Sequence, residues 1–251
     1  MRERHRGWWY MALVGLLCAA PSVFAQTLKI SDPPSNNVLD GIYVGAYTAT
    51  NQATGGTVQI ICDDFKDNSN YNSASYTTNN FSSLGSTLWG SSILSGGGSM
   101  TQVTQLYDEA AWLVLGMLKQ TGTQQGYYSY AIWAIFAPSD VAAWLTGAGD
   151  MAACNAVFGS GSWGKSGCTT GSGGLVGTAS SQTFTSGEFS NLIILTPQGC
   201  QAGPGTCPEQ EFFEVVAEGG AAALYLLLAG AACFGAVFFR SRQRTWREES
   251  A

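Results

Sequence analysis

Histidine is all but missing. The chain of 251 residues has one, His5. Beyond it, a Ser-His-Asp or Cys-His nucleophile arrangement is excluded, and so are zinc sites built on histidine. Positive charge is nearly as scarce. Every arginine is terminal: Arg2, Arg4 and Arg6 at one end, Arg240, Arg242, Arg244 and Arg247 at the other. Between Gln26 and Glu218 stand four lysines against 14 Asp and Glu, a formal net charge of -10. That balance argues against nucleic-acid binding, which rests largely on neutralising phosphates. It also argues against adhesion to anionic lipid headgroups through a basic patch. The cysteines form no C-x-x-C and no zinc spacing. Gly96-Gly97-Gly98 lacks the lysine and Ser/Thr of a phosphate-binding loop.

What the chain does have is strongest at its ends. Arg2, Arg4 and Arg6 precede an apolar run from Trp8 to Ala20; Pro21 and Ser22 break it, and Val23-Phe24-Ala25 follows. A basic lead, a short apolar stretch and a small-x-small site predict a signal peptide over 1–25, removed by signal peptidase after Ala25. At the other end, Gly219 to Phe239 is a run of 21 residues without charge or proline. As a helix it spans about 30 Å, the thickness of a bilayer's hydrocarbon core. The arginines that follow hold that end on the cytoplasmic side. We therefore expect a transmembrane helix at 219–239, a basic cytoplasmic tail at 240–251 and an exported domain before them.

Strand-like text opens the exported part after a polar lead at 26–37. Gly41 to Thr48 and Thr57 to Cys62 are rich in β-branched and aromatic residues, and the polar segment Asn51 to Gly56 makes them a loose hairpin. Residues 69–103 read as a long polar excursion with a strand near 74–78. Leu106, Tyr107, Ala110, Leu113, Val114, Met117 and Leu118 recur at helical spacing, which predicts a helix over 104–121. Tyr127 to Phe136 is apolar and aromatic, helical or β; Pro138 ends it, and a short helix over 139–146 follows. Gln182 to Thr185 and Asn191 to Thr196 are the last strand candidates, and 197–218, rich in glycine and proline, reads as a stalk. The expected fold class is α+β. A mainly β ectodomain over 26–196, an antiparallel sheet or sandwich-like arrangement, carries a docked insert of two to three helices, with the C-terminal transmembrane helix beyond it.

Few residues suggest chemistry. Asp63, Asp64 and Asp67 follow the second strand and are candidate calcium ligands by charge, although the glycine and terminal glutamate of an EF-hand loop are absent. The alternative is a solvated or backbone-capping acidic loop. No cofactor and no catalytic residue is expected. Asp108 with Glu109, or Asp140, would be the first carboxylates to consider for a hydrolase. Trp89, Trp112, Trp133, Trp144 and Trp163 offer either core packing or a sugar-stacking surface. Of the five exported cysteines, Cys154 with Cys168 and Cys200 with Cys207 are the short-loop disulfide candidates; Cys62, in an apolar run, is left as a core thiol.

The C-terminus resembles the sorting tail of the PEP-CTERM group of exosortase-processed exported proteins: a short signature, an apolar helix, then arginines. The signature corresponds to Val216-Ala217-Glu218-Gly219-Gly220, with Glu218 as its glutamate; Ala217 and Gly219 stand where the group has proline. The ectodomain is similar to acidobacterial members of that group at Ile61-Cys62-Asp63-Asp64-Phe65, Tyr107 to Leu113, Tyr130 to Phe136 and Phe189-Ser190-Asn191. The resemblance implies a structural or interaction protein of a Gram-negative envelope. It would be held in the inner membrane, handed to an exosortase-like enzyme and released to the cell surface or exopolysaccharide matrix. A permanently anchored, glycan- or ligand-binding ectodomain is the second expectation.

Overall fold

Alternation of buried and exposed side chains marks the strands, and the longest of them close on one another. The computed structural model describes residues 25–31, 38–67, 73–200, 204–205, 207 and 209–216. The expected signal peptide up to Phe24, the span at 219–239 and the tail at 240–251 lie outside the described residues. Among the described ones, no helix is long and apolar enough to cross a membrane. In chain order the strands are β1 (Ala25–Ile30), β2 (Val38–Leu39), β3 (Ile42–Tyr43), β4 (Ala46–Asn51), β5 (Thr57–Cys62), β6 (Ser73–Asn79), β7 (Trp163–Gly164), β8 (Gly167–Cys168), β9 (Leu192–Pro197) and β10 (Phe212–Val215). Six form a closed antiparallel barrel in the order β1-β4-β5-β10-β9-β6. Closure leaves no unpaired edge along its wall.

Inside the barrel, Phe212 meets Tyr47 and Tyr76 edge-on, with ring centroids 6.2 and 6.0 Å apart. These three rings come from strands that are not neighbours, so they cross the lumen and fill it. Leu28, Ala49 and Ile60 complete a dry interior. A polar bridge crosses it as well: the Gln26 amide donates to Glu214 Oε2 at 3.0 Å and to Thr78 Oγ1, while accepting from Asn51. The outward faces of β5, β9 and β10, with Ile61, Ile194 and Phe213, are buried under helices. Phe213 packs against Tyr107 at 6.1 Å.

All six α-helices among the described residues lie between β6 and β9, which are neighbours in the barrel. They are α1 (Leu88–Ser95), α2 (Met100–Met117), α3 (Thr123–Phe136), α4 (Pro138–Ala148), α5 (Met151–Phe158) and α6 (Gly174–Ser180). Ser99 caps α2, accepting from Gln102 N–H, and Asp150 caps α5 through Ala153 N–H. The α3 helix is the centre of the layer. Ser129 through Ile135 are all buried, and a helix enclosed on most sides loses the amphipathic stripe by which helices are read. The Cys154–Cys168 disulfide ties α5 to β8, and Cys200 is paired with Cys207. Cys62 is buried and free.

Several expectations are corrected. The sheet is a closed barrel, not a sandwich, and the helical layer is larger than two or three helices. The polar lead at 26–37 contains β1, because Leu28 and Ile30 are barrel residues. The stalk at 197–218 returns to the fold as β10, pairing with both β5 and β9. Gln182 to Thr185 forms no strand. The glycine-rich text around 159–174 is closely packed: a Cβ on Gly159 would fall 2.8 Å from Gly173 Cα, and one on Gly174 would fall 2.4 Å from Ala156 O. Only hydrogen fits in these places.

Candidate functional site

The end of β5 organises the most distinctive surface. After Cys62 the chain turns, with Asp64 Oδ1 accepting from Lys66 N–H at 2.9 Å. The turn is clamped from the far side. Asp67 accepts from Gly205 N–H at 2.9 Å and Cys207 N–H at 3.1 Å. The Gln210 amide donates to Asp64 O at 2.8 Å and to Asp67 O. Thus the loop before β10, closed by the Cys200–Cys207 pair, holds the turn after β5. Phe65 is projected outward from it, tilted on Trp133 at 5.3 Å and edge-on to Trp144 at 6.1 Å. Trp133 is fixed in turn by its indole N–H, which donates to Cys62 O at 3.0 Å.

Beside Phe65 opens a cleft of about 640 Å³ lined by Asp40, Phe65, Asp140, Ala143, Trp144, Gly147 and Ala148. Its floor is one face of α4, where Ala143, Gly147 and Ala148 recur at helical spacing and leave a shallow, smooth surface. Trp144 stands beside that floor, 38% exposed. Asp140, in the first turn of α4, is paired with Lys66 at 3.1 Å. Asp40 enters from the β2–β3 hairpin. It has φ 52° and Gly41 has φ 82°, the two positive values of a tight hairpin turn. Tyr130 Oη lies 3.0 Å from both Leu39 O and Asp40 Oδ2 and seats the hairpin on α3. Burial pushes the Asp40 carboxyl above its ordinary range; the Tyr130 hydroxyl opposes this, and Asp150 adds to it.

Chemically, this is an apolar slot with an aromatic wall and carboxylates at its rim. Aromatic faces take the C–H face of a pyranose, and carboxylates accept its hydroxyls through charge-assisted hydrogen bonds. The Lys66 ammonium supplies a donor.

The acidic trio after β5 is buried rather than solvated, and Asp64 and Asp67 cap backbone N–H groups, the other form of that alternative. Asp63 and Asp64 are wholly buried and Asp67 is 6% exposed. As calcium candidates they diverge. Asp67 is spent on backbone N–H groups and Asp64 Oδ1 on its own turn. Asp63 faces the seam between barrel and helices, where no N–H or hydroxyl of the described residues meets its oxygens and its carboxyl lies against that of Glu211. Among the described residues, no three Asp, Glu, His or Cys side chains converge closely enough to hold a metal ion. Opposite Asp63 lies Glu211, also fully buried. Glu211 accepts from Tyr107 Oη at 2.5 Å, Thr196 Oγ1 at 2.6 Å and Leu88 N–H at 2.6 Å. Burial, then the charges of Glu211 and Asp64, push the Asp63 carboxyl well up. Burial and the neighbouring acids raise Asp64 to about 8.

The remaining sequence candidates separate. Asp108 faces a groove on the outside of α2, whereas Glu109 is buried and accepts from the Gln105 amide at 2.9 Å; they are not a catalytic pair. Trp89 and Trp133 are core residues, Trp89 stacked on Phe136 at 5.4 Å. Val216 follows β10 with 40% exposure; Ala217, Glu218, Gly219, Gly220 and the tail arginines lie outside the described residues. Glu211, Asp40 and Phe65 were not singled out from sequence. The Asp40-Gly41 dipeptide was the one available signal, since it marks a two-residue hairpin. No known protein family, characterised protein or solved structure matches the chain.

Proposed function

We propose that this chain is a non-enzymatic exported protein of the bacterial envelope, and that its cleft at Trp144 holds a glycan of the cell surface or surrounding matrix. The observation that carries the glycan reading is the exposed Trp144 beside Phe65, over a smooth floor with Asp40 and Asp140 at the rim. The exported reading is supported by two cysteine pairs in the folded domain. Delivery proceeds by signal-peptide removal, retention through 219–239 with Arg240, Arg242, Arg244 and Arg247 inside, then transfer by an exosortase-like enzyme at Val216 to Gly220.

Two measurements test this. Trp144→Ala weakens binding of matrix polysaccharide in affinity electrophoresis by at least about tenfold, or 1.4 kcal/mol, at a temperature where the variant is still folded. Equal retardation of variant and parent would remove the cleft from the proposal. Intact-mass analysis of the native protein places the N-terminus at Gln26 and finds no residues beyond the signature. It also finds a single alkylatable cysteine, Cys62, after denaturation without reductant. A mass that retains the arginine tail favours a permanent anchor instead.

A further inference from the structure

A second groove lies away from the first, along the outer face of α2. Thr104, Asp108 and Trp112 succeed one another at four-residue spacing there, and the segment from Phe184 to Ser190 runs opposite. One section has a volume of about 600 Å³ and contains Phe81, Asp108, Phe184 and Glu188. A second, about 390 Å³, continues past Glu188 and Phe189 to Trp112 and Tyr128. The two share Glu188 and Phe189 as a common wall, so the groove is elongated. Its aromatic bank is a packed unit: Phe189 touches Phe81 at 5.6 Å and Phe184 at 5.5 Å. Glu188 is oriented, because its Oε2 accepts from Thr185 N–H at 3.0 Å and Thr185 Oγ1 at 3.2 Å.

Charge selects the occupant. Among the described residues the first section carries two carboxylates and is lined by no lysine or arginine; Lys119 belongs to the far section. Burial, then Glu188 and Glu109, push the Asp108 carboxyl up to about 6, so the free groove holds uncompensated negative charge. A ligand ammonium would relieve it by pairing with Asp108 and Glu188 and would sit against the faces of Phe81 and Phe184. An elongated groove with aromatic side chains along both sections suits a chain of such units. We propose that the α2 groove binds a polysaccharide bearing free amines, a de-N-acetylated hexosamine polymer, at a site separate from the Trp144 cleft.

Calorimetric titration of the full-length protein with a glucosamine oligomer and its fully N-acetylated counterpart tests this. The free-amine oligomer should bind at least about tenfold more tightly. Asp108→Asn and Glu188→Gln should each abolish the difference, and Trp144→Ala should preserve it. Because Glu188 also fixes its own loop, Asp108→Asn is the decisive variant. Equal binding of the two oligomers, or parental binding by Asp108→Asn, overturns the proposal. Loss in Trp144→Ala alone would reassign the oligomer to the first cleft and overturn it as well. Displacement by an equimolar lysine oligomer would show a site for basic peptide instead. Failure of the Trp144 reading leaves this outcome untouched, since the two sites share no residue.

Discussion

Glu211→Ala is expected to destabilise the protein by about 3–5 kcal/mol, the cost of leaving two buried donors without their shared acceptor. Glu211 joins three parts of the fold. It stands just before β10, and its carboxylate takes the Tyr107 hydroxyl of α2, the Thr196 hydroxyl of β9 and the Leu88 N–H that opens α1. Negative charge at the start of α1 is favourable to that helix, and Thr87 adds a second cap at Gly90 N–H. Removing the carboxylate leaves Leu88 N–H and Tyr107 Oη without their acceptor in a site closed to water, at about 1–3 kcal/mol each. Thr196 Oγ1 would still accept from Asn79 at 2.9 Å, so it loses less. With a urea m-value of about 2 kcal/mol/M, the midpoint should fall by roughly 2 M. Glu211→Gln keeps an acceptor and the volume, and should lose less than half as much. A fall under about 1 kcal/mol for Glu211→Ala would mean that this seam does not hold the helices on the barrel.

The elements that sequence reading located well are those whose own residues decide their burial. Thr57 to Cys62 is a strand because its β-branched run packs on both faces, and α2 is legible from its repeating apolar stripe. β1, β10 and the acidic turn were not. Leu28 and Ile30 have too few apolar neighbours in sequence to announce a strand; they are buried because β4 and β6 flank them. Asp63 and Asp64 carry the text of a surface turn. What buries them is Glu211 and Gln210, more than 140 positions later, and no local pattern encodes that return. The α1 and α6 helices were hidden by Ser and Gly, residues that local propensity assigns to loops, although small residues are what their close contacts need. At the cleft, Asp140 and Trp144 were each visible as residue types. Their meeting with Phe65 and Asp40 depends on the hairpin docking through Tyr130.

Stability should fall as pH rises from 5 to 8, the reverse of what paired surface carboxylates produce. Asp64 titrates at about 8 in the fold and at about 3.9 in an unfolded chain. Asp63 is also raised well above its ordinary range, by burial first and then by Glu211. The charges around them are of one sign. Asp67 and Glu211 face Asp64, while the Lys66 ammonium is engaged with Asp140. Between the unfolded and folded values the native state therefore holds protons that the unfolded chain has released. The slope of unfolding free energy against pH is negative over that interval. The stabilisation is complete below about pH 4 and is lost as pH climbs through the folded values. One retained proton gives about 1.4 kcal/mol per pH unit, so Asp64 alone contributes about 4 kcal/mol between pH 5 and 8. At roughly 2–4 °C per kcal/mol for a domain of this size, Tm should drop by about 10 °C. The excess of acidic residues acts in the same direction, because their repulsion grows as they ionise. Asp64→Asn removes the titration while keeping the Oδ1 acceptor for Lys66 N–H; it should raise Tm at pH 8 and flatten the profile by one proton. A parental Tm that is level or rises from pH 5 to 8 would show that these carboxyls are ionised within the fold and balanced by a cation.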